Sequence, residues 1–222
     1  MSAFVLIPGA GGTAWYWSRV VPLLREAGHD VVAVDLPGDD ENAGLPEYAG
    51  LVETAIDRRD GVVLVAQSLG GFTAAMVSAR VRLGELVFVN AMIPAPGGTP
   101  GSWWQETGWE QARLSAAIAG GYSTEFDLDE YFLHDVPPDV AAEGEPYQRA
   151  EADAVFGSHC DFTDWPDIPV RVLSGTEDRF FPLEFQRRLA RERLGVKPDV
   201  LPGGHLLALS NPRGVVDYLL RR

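Results

Sequence analysis

Cysteine is nearly absent from the 222 residues: Cys160 stands alone, so the chain can neither close a disulfide within itself nor build a structural zinc site from cysteines. Lysine is as scarce, with Lys197 beside 17 arginines, and the 18 basic residues face 32 acidic ones. The resulting net charge of −14 speaks against nucleic acid as a partner, because phosphate backbones are bound by basic patches. Unbroken hydrophobic runs of membrane-spanning length are missing too. Residues 61–79 and 86–105 carry no charge, but each is interrupted by Gly, Ser, Gln, Asn or Pro, and the first changes from a strand to a helix pattern midway. No basic stretch precedes the short apolar run at residues 4–7, so no secretory signal is expected and the cytoplasm is the expected compartment.

What the chain does have is enough apolar sequence for a core, 46% of its residues, and enough length for one large domain that buries roughly 70% of its unfolded surface. Strand and helix patterns alternate. Strands are expected at residues 4–7, 30–34, 61–66, 86–90, 170–173 and 199–201, and helices at 14–27, 46–58, 70–81, 182–194 and 212–220. Near-continuous Val and Leu strands set between helices predict an α/β fold, with a mostly parallel sheet of about six strands buried on both faces.

The alternation is interrupted between residues 94 and 169. The interruption opens with Pro94, Pro96, Gly97, Gly98, Pro100 and Gly101 and continues as short helical stretches rich in aromatics, which predicts a helical lid over the strand ends. On this reading residues 1–94 and 166–222 form the core and 95–165 the lid. The lid also concentrates the charge: residues 95–165 hold 14 Asp and Glu against Arg113 and Arg149, a net of −12. A solvated surface accounts for that acidity, and a site beneath it that disfavours anionic substrates is the sharper consequence.

The clearest chemical signal is Val65-Ala66-Gln67-Ser68-Leu69-Gly70-Gly71, where a strand runs directly into a helix. A serine in such a tight turn needs small neighbours two residues to either side, here Ala66 and Gly70, and projects its hydroxyl from the carboxyl edge of the sheet. A serine that merely caps the helix is the plainer reading. To act as a nucleophile Ser68 needs a base, and the base needs a carboxylate to hold its tautomer. Of four histidines, His29 reads as a surface turn and His134 and His159 fall within the lid. His205, in Pro202-Gly203-Gly204-His205, follows the last short strand at the same sheet edge and is the candidate base. Asp178, in Gly175-Thr176-Glu177-Asp178, is the candidate carboxylate, with Glu177 its nearest competitor.

With these residues in place the chain resembles the α/β-hydrolase superfamily over essentially its whole length. Further matching stretches are Ile7-Pro8-Gly9-Ala10-Gly11-Gly12 through Trp15-Tyr16-Trp17, Gly28-His29-Asp30 and Asp35-Leu36-Pro37-Gly38. Within the superfamily it looks most like the small methylesterase and hydroxynitrile lyase group, although Pro8 stands where that group has a histidine. The resemblance implies an oxyanion hole made by the backbone N–H groups of Ala10 and Leu69. Lyase members carry a threonine in place of Gly9 and a lysine in place of Leu206, so ester hydrolysis is expected rather than cyanohydrin cleavage.

Two rival readings come from other classes. Gly9-Ala10-Gly11-Gly12-Thr13-Ala14 fits a dinucleotide fingerprint, with Asp35 as the ribose acid, which would make the protein an NAD(P)-dependent oxidoreductase. A hydrolase-like receptor without catalysis is the other. The first leaves Ser68, Asp178 and His205 unexplained, and no lost residue supports the second. The expected mechanism is attack by Ser68 on an acyl carbon, His205 as base and then acid, Asp178 orienting His205, and hydrolysis of the acyl-enzyme by water. No metal or organic cofactor is required, and the expected partner is a small-molecule ester, neutral or aromatic. Trp15, Trp103, Trp104 and Leu206 are candidate substrate contacts, against the plainer reading of the aromatics as lid core.

Overall fold

The computed structural model describes residues 2–57 and 59–221. Six strands, β1 (Ala3–Ile7), β2 (Asp30–Ala33), β3 (Val63–Ser68), β4 (Glu85–Ala91), β5 (Val170–Gly175) and β6 (Asp199–Leu201), form one sheet in the order β2-β1-β3-β4-β5-β6, and every pairing is parallel. The helices are α1 (Val21–Glu26), α2 (Leu45–Ile56), α3 (Gly70–Ser78), α4 (Pro100–Thr107), α5 (Trp109–Gly120), α6 (Pro138–Gly144), α7 (Asp153–Gly157), α8 (Leu183–Leu194), α9 (Leu207–Ser210) and α10 (Pro212–Leu220).

The two-residue period of the strands sorts the core into two layers. Val5, Ile7, Leu64, Ala66, Leu86, Phe88 and Val172 face one way, against α2, α3 and α8. Phe4, Leu6, Val65, Val87, Val89 and Leu173 face the other, against α1 and α10. Because both faces are covered, the central strands read as unbroken apolar runs rather than alternating ones. Helix α3 is buried on all sides, and the small residues Gly70, Gly71, Ala74 and Ala75 let it lie close to its neighbours. Among the described residues no helix is long and apolar enough to cross a membrane.

Several elements depart from the sequence expectations. The helix expected over 14–27 is two pieces, a 3₁₀ turn at Ala14–Trp17 and α1, with Pro22 in the first turn of α1, where no intrahelical N–H is required. The helix expected to end at Arg58 ends at Ile56, and Arg58 itself lies outside the described residues. Strand β3 continues through Ser68 and β5 through Gly175, two residues beyond the apolar runs that announce them. Polar residues at a strand's carboxyl end break the hydrophobic pattern but not the ladder. Helix α9 has no expected counterpart. Between β4 and β5 the chain forms α4 to α7, a π turn at Asp129–Leu133 and a 3₁₀ turn at Glu145–Tyr147.

Candidate active site

Three strand ends on the carboxyl edge of the sheet build the site. At the β3 end Ser68 has φ 49°, in the left-handed region that non-glycine residues rarely occupy, and the β3–β4 register slips between Gln67 and Ser68. The turn closes this sharply because its neighbours lack side chains. A Cβ on Gly71 would sit 1.9 Å from the carbonyl oxygen of Met92, and one on Gly70 would sit 2.4 Å from that of Pro8.

The loop after β6 brings His205 to Ser68, with Nε2 3.1 Å from Oγ, and the loop after β5 brings Asp178 to the other nitrogen, with Oδ2 2.9 Å from Nδ1. A carboxylate facing Nδ1 keeps the proton there, so Nε2 is the acceptor that faces the serine hydroxyl. Asp178 Oδ1 accepts the backbone N–H groups of Phe180 and Phe181 at 2.9 and 2.8 Å. His205 is fully buried, and the rings of Phe132, Phe180 and Phe181 meet it edge-on at centroid distances of 4.8, 5.2 and 5.0 Å. This line of hydrogen bonds is the arrangement that lets a serine hydroxyl give up its proton.

The remaining histidines stand apart from Ser68. His29 lies by Ser2 and Phe4, His134 against the Glu177 carbonyl and His159 against that of Gly97. Glu177, the competitor for the carboxylate position, is exposed, and its backbone N–H donates to Gly203. Asp35, the would-be ribose acid, is occupied: its Oδ1 accepts the Ala14 N–H and pairs with Arg149, each at 2.9 Å. The glycines of that loop serve packing, since a Cβ on Gly12 would meet the Leu36 carbonyl oxygen at 2.5 Å.

Ser68 and His205 open into a cavity of about 480 Å³ whose walls include Ala10, Leu69, Trp104, Phe126, Phe132, Phe156, Phe180 and Leu206. A smaller cavity of about 130 Å³, lined by Trp15 and Tyr147, shares Ala10, Gln67 and Leu206 with it. Of the expected substrate contacts, Trp104 and Leu206 line the large cavity and Trp15 the small one. Trp103 lines neither: it is buried below Trp104, and its indole N–H donates to the Ile93 carbonyl at 3.0 Å. Tryptophans at adjacent positions of one helix point in different directions, and only one of the two can face the cavity.

Sequence reasoning passed over the groups that hold these loops. Asn90, fully buried at the end of β4 with φ 44°, donates to the carbonyls of Gly204 and His205 at 2.9 and 3.0 Å and accepts the Gly175 N–H at 2.7 Å. Gln186 joins Asn90 to Asp178 through its amide and accepts a hydrogen bond from Ser174. An asparagine closing the apolar run Leu86-Val87-Phe88-Val89 was the available signal. The segment between β4 and β5 contributes as well. Asp135 accepts the Gly204 N–H at 2.5 Å, and Glu151 accepts the Gly11 N–H and the Tyr48 hydroxyl, each at 2.5 Å. Burial pushes the Glu151 carboxyl above its ordinary range, and burial together with Glu151 pushes the Tyr48 phenol up.

Residues 4–218 match the model of the alpha/beta hydrolase family. Methyl jasmonate esterase 1 of Vitis vinifera is 34% identical over 115 residues, which are 46% of this chain and 44% of that protein. Norfluorocurarine synthase 1 of a Strychnos species is 37% identical over 103 residues, 41% of this chain and 39% of that one. The aligned stretches thus span less than half of these relatives. The crystal structure of polyneuridine aldehyde esterase superposes with a TM-score of 0.81 at 20% identity, covering 99% of this chain and 98% of that one, a likeness of fold.

Proposed function

Because this chain belongs to the alpha/beta hydrolase family, we propose that it is a serine esterase acting on small neutral esters through a Ser68–His205–Asp178 triad. The observation that carries the reading is the buried line from Asp178 through His205 to a serine held in a left-handed turn at the floor of a largely apolar cavity. Each part has a chemical task. His205 Nε2 takes the Ser68 proton as Oγ attacks the ester carbon, and Asp178 stabilises the imidazolium that forms. The backbone N–H groups of Ala10 and Leu69, two residues on the cavity wall, meet the charge that develops on the carbonyl oxygen. The leaving alcohol then takes the proton from Nε2, and water repeats the sequence on the acyl-enzyme.

The substrate class follows from the walls. Trp104, Phe126, Phe132, Phe156 and Phe180 give the cavity an aromatic surface, and Arg149, its charged lining residue, is already paired with Asp35. An uncharged ester with apolar or aromatic parts loses least on entering such a space. The segment at residues 95–165 acts as the lid that supplies four of these five aromatic residues.

Intact-mass analysis after exposure to a fluorophosphonate, with Ser68→Ala as the comparison, tests the reading. The expected result is a single adduct that is lost in the variant, together with a loss of esterase kcat of at least ~10³-fold. An unlabelled native protein, or full activity in Ser68→Ala, overturns it.

A further inference from the structure

Two side chains reach the Nε2 of His205 among the described residues. One is Ser68; the other is Gln67, whose amide nitrogen lies 3.2 Å away. Gln67 immediately precedes Ser68 in β3 and is 3% exposed, so the strand and the surrounding core fix its position. Its amide nitrogen faces the histidine, and Oε1 lies on the Gly9 side, where a Cβ would come within 2.3 Å of it. The absence of a side chain at Gly9 therefore makes room for the amide that faces the histidine.

Resting on the serine esterase reading, we infer that Gln67 is a positioning residue for the second half of the reaction, deacylation. During acylation the Ser68 hydroxyl donates to Nε2 and holds the ring itself. Once Oγ is bonded to the acyl carbon it has no proton to donate, and Asp178 on Nδ1 becomes a tether at one nitrogen only. The Gln67 N–H then donates to the Nε2 lone pair that the hydroxyl has left and holds the ring aimed at the acyl carbon until a water molecule displaces it. The proton of that water passes to Nε2 as the water oxygen bonds to the carbon. The carbon–Oγ bond breaks, and Nε2 returns the proton to Oγ as the acid leaves. Gln67 neither gives nor takes a proton in these steps.

Burst kinetics with p-nitrophenyl acetate on the full chain test this in the native protein, Gln67→Met and Gln67→Glu, with fluorophosphonate labelling to count competent sites in each. Loss of the donor is expected to lower kcat and KM together by about tenfold while kcat/KM stays within about twofold, and to expose a burst of about one p-nitrophenol per labelled site. A merely structural role would lower kcat/KM as well. Labelled variants in which kcat/KM falls as far as kcat, or in which neither parameter changes, overturn the inference alone. A native protein that takes no label overturns the serine reading beneath it. Should Gln67→Met fail to fold, Gln67→Glu, which keeps the size of the side chain and an oxygen against Gly9, decides the question.

Discussion

Ser68 combines a hydroxyl with a backbone angle that only glycine adopts without strain, and the two can be separated by substitution. Both Ser68→Ala and Ser68→Gly lose the hydrogen bond to His205, but only glycine relieves the strain at φ 49°. Ser68→Gly is therefore expected to be more stable than Ser68→Ala by about 1 kcal/mol, measured by urea denaturation, the reverse of the usual order of these residues inside regular structure. Equal stabilities, or a more stable alanine variant, would show that the turn stores no strain. Cys160 makes the opposite use of burial. Desolvation, with Asp161 adding to it, pushes its thiol up to about 12, and the Sγ lies against the Phe72 carbonyl. Alkylation by iodoacetamide at neutral pH is expected to be slow in the native protein and fast only after unfolding; rapid native labelling would contradict the burial.

The helical segment between β4 and β5 is joined to the core by carboxylates placed on the backbone of the site loops. Asp135 takes the N–H next to His205, and Glu151 takes the N–H next to Ala10. Because the Glu151 carboxyl is raised in the fold, the folded state binds its proton more tightly than the unfolded state does. Its contribution to stability is thus fully present below the ordinary carboxylate range and is lost as pH rises through the raised value. Glu151→Gln keeps an oxygen for the Gly11 N–H and removes that loss. The difference in Tm between variant and native protein is expected to move in favour of the variant from about pH 4 to about pH 8, as followed by thermal denaturation. A difference that is flat with pH, or that moves the other way, would contradict the raised carboxyl. Such contacts were illegible in the sequence, because acidic residues in turns and irregular chain, as Asp135 and Glu151 are, carry no period that distinguishes a loop clasp from a solvated charge.

Across the whole molecule the charge of −14 is uneven, with −12 of it in residues 95–165, the segment whose aromatic residues line the cavity. The field of this segment is therefore expected to discriminate between substrates before contact. Hydrolysis of an anionic ester is expected to speed up as salt is raised from about 10 mM to about 0.5 M, while kcat/KM for a neutral ester of similar shape changes little. An equal response of the two esters would mean that the acidic surface is only a solvated one.

The alternation of apolar strands with helices determined the α/β class and the parallel sheet, since a strand buried on both faces must be apolar throughout. The small residues around Ser68 likewise determined its turn, because Gly70 and Gly71 leave no space for a Cβ. The chain order also nominated Asp178 and His205, but only the loops after β5 and β6 decided that Asp178 rather than Glu177 faces the ring, a matter of side-chain direction between adjacent residues. Tertiary structure alone turned Trp103 into core, gave Asn90 and Gln186 their bridging role and set Gln67 beside Nε2. Asn90 meets Gly204 and Gln67 meets His205 across more than a hundred positions, which leaves no mark on local periodicity; packing of the whole sheet brings them together.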